Sequence, residues 1–358
     1  MHKYFMLAAL EQAWFGRGNC APNPSVGAVA VHKGEIIARA WHQGAGTAHA
    51  EQLLVAKIPA GLQDVSLYVT LEPCNHWGKT PPCAMAILGH GISQVIYGFS
   101  DPNPIVRANN TPEILRKNGI EALHYPLQEI DAFYQSYHYW TKTKRPWVTA
   151  KIAQTLDGKI AGVNGQRCQL SNADCAEFTH QHRLYTDVIL TTAKTIVQDD
   201  PLLNVRLKDR EKGKRLAILD SRLSLNKNAR IFSSAEHCHI FHDENYAVTN
   251  PFSNCSYYGI PAREGLLDLE FVLKQLGELG YHDVWVEAGG ALFSALHREK
   301  LVQRTYLYLV PEILGENTTP AFQGEVFFTT KRAVSWQVKS DNVIACLDWH
   351  EEDPCLQA

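Results

Sequence analysis

Four residues constrain this chain more than any others: His49 and Glu51 within His49-Ala50-Glu51, Cys74 after Pro73, and Cys83 after Pro82. One imidazole and two thiolates make three protein ligands for zinc. Three ligands leave the fourth position for water, as a catalytic zinc requires. Water bound in this way has its pKa lowered to roughly 7. Glu51 lies two residues beyond His49 at an expected helix start, where it can stand beside the metal without ligating it. From there it can take a proton from the water and pass it to a ring nitrogen and then to a leaving amine. A helix beginning at Cys83 favours the thiolate form of that residue. The competing reading is a closed structural zinc site with His76 as fourth ligand, and it gives Glu51 no task.

The surrounding sequence alternates strands and helices. Val26 to His32 and Glu35 to Ala40 read as two strands joined by the tight turn His32-Lys33-Gly34. Helical spacing follows over 48–57, a strand over 66–71, a helix from Cys83 to Leu88 and a strand over 94–99. A short helix from Thr111 to Lys117 stops near Gly119, and a strand near 120–124 leads into an aromatic-rich helix over 127–142. This order predicts a three-layer α/β domain whose sheet begins with a hairpin. Thr143 to Pro146 is the expected boundary, giving domains over 1–145 and 146–358. In the second domain, strands are expected near 147, 187–191, 215–219, 239–241 and 283–286, with helices over 174–183, 269–279 and 290–297. The simplest architecture is a doubly wound α/β domain. Two further strands, 304–310 and 343–349, complete it.

Length and composition agree. A chain of 358 residues is long for one core, so two domains are expected. A net charge of −3 and the lack of a dense Lys/Arg run argue against a nucleic-acid binder. The short basic stretch Lys142, Lys144, Arg145 reads as a solvated linker. No apolar run reaches the roughly 18 residues of a membrane span, and the apolar stretch near Phe5 reads as an amphipathic helix rather than a signal peptide. Nine scattered cysteines are not a disulfide framework, and a cytoplasmic setting fits them.

The metal motif, together with Ala21-Pro22-Asn23-Pro24-Ser25-Val26-Gly27, Trp41-His42-Gln43-Gly44-Ala45-Gly46, Pro73-Cys74-Asn75-His76-Trp77-Gly78-Lys79-Thr80-Pro81-Pro82-Cys83 and Asp101-Pro102-Asn103-Pro104, resembles the cytidine-deaminase superfamily. Within it, the chain is similar over nearly its whole length to the bifunctional riboflavin-biosynthesis family, in which a pyrimidine deaminase precedes a reductase. The resemblance implies zinc held by His49, Cys74 and Cys83, proton transfer by Glu51, and substrate contacts from Asn23, His76, Lys79 and Asn103. The implied substrate is a diaminopyrimidinone carrying a phosphoribosylamino group, a small phosphorylated molecule that loses a ring amino group as ammonia. The eight residues between the cysteines differ from the two-residue gap of nucleoside and tRNA deaminases.

The second half resembles the family's reductase, which is similar in fold to dihydrofolate reductase. Its landmarks are Lys151-Ile152-Ala153, Leu156-Asp157-Gly158-Lys159, Thr195, the run from Asp199 to Arg206, Asp220-Ser221 and Trp285-Val286-Glu287-Ala288-Gly289-Gly290. The implied reaction is hydride transfer from NADPH, opening the ribosyl ring to a ribityl chain. Arg183, Leu203, Arg206 and Glu287 are the implied substrate residues, with Arg183 and Arg206 expected to clamp the phosphate. Ala153, Thr195, Asp199, Ser221, Gly289 and Gly290 are the implied cofactor residues, and Arg222 is placed to meet a 2′-phosphate. Glu287-Ala288-Gly289-Gly290 ends a strand and opens a helix, where backbone N–H groups can meet a phosphate. It is not a G-x-G-x-x-G fingerprint.

The chain departs from the family at three places. Arg167 and Gln169 stand where a Ser-x-Trp pair is usual. Ile105 to Asn110 replaces a glycine-containing stretch. Gln303 and Arg304 replace an acidic pair in a region that helps subunits associate, which bears on an expected homo-oligomer. Three other readings compete with the bifunctional enzyme: a deaminase with a silent second domain, a nucleic-acid deaminase that flips a base into a zinc pocket, and a zinc-stabilised binding protein. The acidic net charge opposes the nucleic-acid reading, and Glu51 opposes the binding protein.

Overall fold

Alternation along the N-terminal hairpin decides how the first unit is layered. The computed structural model describes residues 1–75, 77, 82–104, 110–324 and 332–349. Strands Gly27–His32 and Glu35–Trp41 pair antiparallel across a turn in which Lys33 and Gly34 have φ of 49° and 84°. Successive strand residues face opposite ways. Ala28 and Ala30 therefore join one core cluster, with Leu54, Ile87 and Leu115 from the helices Ala50–Val55, Cys83–Ile87 and Thr111–Lys117. Val29 and Val31 join the other, with Met6 and Ile130 from the helices His2–Gly16 and Gln128–Thr143. The small Ala28, Ala30, Ala38 and Ala40 line the face on which the metal-site helix packs.

The sheet order is Glu35–Trp41, Gly27–His32, Val65–Leu71, Ile92–Phe99, Glu121–His124. The first two pairings are antiparallel and the last two parallel. A helix–strand approach at Gly27 admits no side chain: a Cβ there would lie 2.1 Å from the Ala9 carbonyl oxygen.

The chain divides into two units, Met1–Arg145 with Leu279–His282, and Pro146–Glu278 continued from Asp283. The second unit carries a nine-stranded sheet in the order Cys255–Ile260, His237–Asp243, Arg215–Leu219, Val188–Thr192, Asp283–Glu287, Trp147–Thr155, Arg304–Val310, Asn342–Trp349, Arg332–Lys339. The first seven run parallel, Asn342–Trp349 runs antiparallel to them, and Arg332–Lys339 runs antiparallel to Asn342–Trp349. Asp283–Glu287 is inserted between two strands that come far earlier in sequence. The sheet order therefore reverses there, and in open α/β sheets ligands bind beyond the carboxyl ends of the strands at such a point. The fold is α/β throughout: a unit with helices on both faces of a five-stranded mixed sheet, followed by a unit built on a nine-stranded, mostly parallel sheet. Among the described residues, no helix is long and apolar enough to cross a membrane, and eight cysteines are free of disulfides.

Lys214 is an unusual part of this core, only 1% exposed. Its Nζ donates to the Thr186 carbonyl at 2.7 Å and the Leu184 carbonyl at 3.5 Å, closing the end of helix Ala173–Tyr185. Burial pulls its ammonium down to about 8. Lys214→Ala strands those carbonyls, and a loss of about 1–3 kcal/mol is expected. Thermal unfolding reads it, and an unchanged midpoint would show that the capping contributes nothing.

Candidate functional site

His49 takes extended backbone, φ −69° and ψ 159°, as the N-cap of helix Ala50–Val55. Its N–H donates to Gln52 Oε1 at 3.2 Å. Glu51 then falls in the first helical turn and is buried, 4% exposed. Cys74 lies just beyond strand Val65–Leu71, and Cys83 opens helix Cys83–Ile87. Two bonds tie these segments: Ala84 N–H donates to the Cys74 carbonyl at 3.1 Å, and Cys83 N–H to Cys74 Sγ at 3.5 Å.

The three ligand atoms form a tight triangle. His49 Nδ1 is 3.2 Å from Cys83 Sγ and 3.6 Å from Cys74 Sγ, and the two sulfurs are 3.4 Å apart. A tetrahedral zinc with ordinary bond lengths would hold such donors roughly 3.5–3.8 Å apart. The residues therefore fit zinc with little adjustment. Without the metal their proton affinities diverge, and the shift of Cys83 is opposite to the thiolate form expected at a helix start. The hydrogen bond shared with Cys83, foremost, draws Cys74 well below the ordinary thiol range. The same contact pushes Cys83 up. The hydrogen bond with Cys74 raises His49. Burial, and then the charge of Cys74, push the Glu51 carboxyl up to about 7.

Two further residues lead outward from His49. His42, 2% exposed, meets the His49 ring edge-on at 5.4 Å between centroids. Burial lowers its imidazole pKa. Asn23 Nδ2 lies 3.3 Å from His42 Nε2. Asn103 is anchored through its backbone N–H, which donates to Asp101 Oδ1 at 2.9 Å, and the buried Tyr137 hydroxyl donates to the same oxygen at 3.1 Å. His76, Lys79 and 105–109 lie outside the described residues. His42 and Asp101 carry no role in the sequence reading. The Trp41-His42-Gln43-Gly44-Ala45-Gly46 and Asp101-Pro102-Asn103-Pro104 runs were the available signals.

In the second unit the implied residues gather at the carboxyl ends of the strands flanking the order reversal. Ala153 lies on Trp147–Thr155, Glu287 ends Asp283–Glu287, and Gly289 caps helix Gly290–Arg298. A Cβ on Gly290 would lie 2.4 Å from the Ala321 carbonyl oxygen, so only glycine fits there, whereas the space beside Gly289 is open. Thr195 sits in the first turn of helix Ala193–Asp199, its N–H donating to the N-cap Thr192 hydroxyl at 3.2 Å, and Asp199 ends that helix. Ser221 follows Arg215–Leu219. Leu203 is buried with φ 49°.

Arg183 is paired within the second unit. Its Nε and NH2 donate to the two Glu287 carboxylate oxygens at 2.6 and 2.8 Å, and its NH1 to the Asn204 carbonyl at 2.8 Å. Trp285 Nε1 adds a bond to Glu287 Oε1 at 2.9 Å. Burial alone would raise the Glu287 carboxyl. The Arg183 charge and hydrogen bonds, with Lys151 and Trp285, outweigh it and hold the group at about 2. Lys151 stands over the Tyr308 ring at 4.9 Å, its pKa lowered by burial against the pull of Glu287. Arg206 is exposed, bonded to Asn204 Oδ1, with its N–H given to His180 Nδ1 at 3.0 Å. Burial and the two arginines hold that histidine down, at about 4. Arg167 and Gln169 are exposed, and Gln169 Nε2 donates to the Ser171 carbonyl at 3.0 Å. Gln303 and Arg304 are used inside the sheet: Gln303 Oε1 accepts from Val148 N–H at 2.8 Å and Arg304 Nε donates to Asp348 at 2.5 Å.

Fold and sites together define an enzyme of two parts, a zinc-dependent deaminase joined to a reductase. Residues 1–99 match the cytidine and deoxycytidylate deaminase zinc-binding region, and 146–344 match the RibD C-terminal domain. The chain belongs to the RibD family of riboflavin biosynthesis proteins. It is 31% identical to the RibD of Haemophilus influenzae over 93% of this chain and 92% of that one. It is 32% identical to the Aquifex aeolicus protein over 88% of each. Among solved structures, the Thermotoga maritima diaminohydroxyphosphoribosylaminopyrimidine deaminase/5-amino-6-(5-phosphoribosylamino)uracil reductase is similar at 30% identity and TM-score 0.85, covering 98% of this chain and 99% of that one. Acinetobacter baumannii RibD is similar at 26% identity and TM-score 0.84, with the same coverage. The chain is a bifunctional enzyme of riboflavin biosynthesis that uses zinc and NADPH.

Proposed function

We propose that residues 1–145 deaminate 2,5-diamino-6-(5-phosphoribosylamino)pyrimidin-4-one and that residues 146–358 then reduce its ribosyl group to ribityl. The observation that carries the first step is the triangle of His49, Cys74 and Cys83, with the buried Glu51 in the first turn of the helix that His49 caps. Zinc held by those three residues supplies an acidified water. Glu51, kept from ionising readily by burial, accepts and returns the proton, first to the ring nitrogen and then to the departing amine. Asn23 and Asn103 hold the ring and its substituents, and His76 and Lys79 take the phosphoribosyl side.

In the second step NADPH supplies hydride. Ala153, Thr195, Asp199, Ser221, Gly289 and Gly290 would hold it, and Arg222, exposed beside Ser221, would meet a 2′-phosphate. Arg206 takes the substrate phosphate, and Leu203 packs under the substrate. Glu287, held ionised, accepts from sugar hydroxyls, and Lys151 faces it as a donor. Arg183 acts through Glu287 by fixing its carboxylate plane. The exposed Val334, Trp336 and Val338 on the edge strand Arg332–Lys339 support a homo-oligomer. We assign the enzyme to the cytoplasm.

Metal removal tests the division of labour. A strong chelator, or Cys74→Ser, is expected to abolish ammonia release while NADPH oxidation on the already deaminated compound continues. Ammonia release that survives complete loss of zinc would contradict the proposed first step.

A further inference from the structure

Helix Ala173–Tyr185 turns two side chains toward one short segment of the second unit. His180 and Arg183 stand three residues apart and so share a helix face, and both are buried. Arg183 NH1 donates to the Asn204 carbonyl at 2.8 Å, and His180 Nδ1 accepts from the Arg206 N–H at 3.0 Å. The segment is braced again across a hairpin, where Arg206 is the partner of Glu211 between strands Val205–Leu207 and Arg210–Lys212. The Asn204 side chain, 4% exposed, closes the arrangement. Its Oδ1 accepts from Arg206 NH1, and its Nδ2 donates to Glu211 Oε1 at 3.0 Å. The donor and acceptor roles are forced, because a guanidinium and a backbone N–H only donate and a carboxylate only accepts. The Asn204 carboxamide therefore has one orientation, and His180 Nδ1 is a lone pair. Burial, with the charges of Arg183 and Arg206, keeps that imidazole neutral. A continuous run of bonds thus leads from the Glu287 carboxylate through Arg183 and Asn204 to the exposed Arg206.

We propose that Asn204 and His180 fix the Arg206 guanidinium at a set span from Glu287, so that the reductase site measures the distance from sugar hydroxyl to phosphate and favours phosphorylated substrates. Both residues are buried and act through Arg206, so they are positioning residues. An arginine held before binding loses less side-chain freedom when the phosphate arrives. The proposal rests on the reading that Arg206 takes the substrate phosphate.

NADPH oxidation by the full-length enzyme tests this with two substrates, the deaminated compound and the same compound without its phosphate. Arg206→Ala is expected to raise KM for the phosphorylated substrate roughly tenfold to hundredfold and to leave the other unchanged. Asn204→Asp should raise the same KM about tenfold, because a carboxylate has no hydrogen for Glu211 and repels it. Its kcat, its KM for NADPH and its KM for the phosphate-free substrate should hold. Adding Glu211→Gln returns a donor to that contact and cancels the added charge, so the double variant should come back to within about threefold of the wild type. His180→Leu should also raise KM for the phosphorylated substrate, and His180→Asn, which keeps an acceptor near the Nδ1 position, should recover most of the loss. A normal KM in Arg206→Ala sinks the reading that Arg206 takes the phosphate. A damaged Arg206→Ala beside a normal Asn204→Asp leaves that reading standing and overturns the role of Asn204, and a normal His180→Leu does the same for His180. Equal damage with both substrates, or no recovery in the double variant, would make Asn204 part of the fold alone and overturn the proposal.

Discussion

Glu51→Gln is expected to slow ammonia release roughly a hundredfold to ten-thousandfold, the range of a lost general acid–base catalyst, while zinc stays bound. The carboxyl lies in the first turn after His49 and is buried beside the ligand triangle without belonging to it. Gln keeps the size and polarity of the side chain but cannot shuttle a proton. Metal affinity should therefore hold, and the loss should fall on kcat. The second unit has no part in this proton transfer, so NADPH oxidation on the deaminated compound should be unaffected. Metal analysis and the two assays on one preparation check all three points. Loss of zinc together with activity would instead make Glu51 a structural part of the site.

The second large effect is expected from Arg183→Ala. Arg183 and Glu287 are 11% and 13% exposed, and the arginine spans both carboxylate oxygens. Removing one partner of a buried pair leaves the other charge uncompensated, a cost of about 3–5 kcal/mol. For a unit of this size that lowers the unfolding midpoint by roughly 10 °C. The pH dependence gives a separate signature. Glu287 is held at about 2 against an ordinary 4.5, so its contribution to stability is complete above about 4.5 and is lost as pH falls toward 2. The wild-type second unit should lose this increment across that acid window, and Arg183→Ala should show little of it. Reductase activity should fall as well, since Glu287 would lose its fixed plane. An Arg183→Ala protein with unchanged midpoint and acid profile would contradict the pairing.

The deaminase site was largely legible in the sequence because its chemistry restricts residue type. Only a few side chains bind zinc, and Glu51 has one useful place relative to His49. The layering of the first unit was legible too, through the period-two pattern of the hairpin and the Lys33-Gly34 turn. What escaped depends on distant partners. Arg183 and Glu287 are separated by 104 residues, and no local pattern says that one is committed to the other. Arg183 in isolation reads as a phosphate ligand for the same reason that it binds a carboxylate: both present a pair of anionic oxygen acceptors to a guanidinium fork. His42 escaped because a buried histidine is ambiguous until its two ring nitrogens have partners. The edge strand Arg332–Lys339 was missed although Val334, Trp336 and Val338 alternate with polar residues at the period of a strand; none of its residues is buried. Lys214 reads as a surface residue, and only the helix end above it explains its burial.

The most direct test of the account is a coupled assay on the zinc-loaded protein with 2,5-diamino-6-(5-phosphoribosylamino)pyrimidin-4-one, following ammonia release and then NADPH oxidation. The account predicts stoichiometric ammonia followed by an equal consumption of NADPH, with the first signal lost in Glu51→Gln and the second retained when deaminated substrate is supplied. Ammonia without NADPH consumption would contradict the second step, and no ammonia from fully zinc-loaded protein would contradict the central claim.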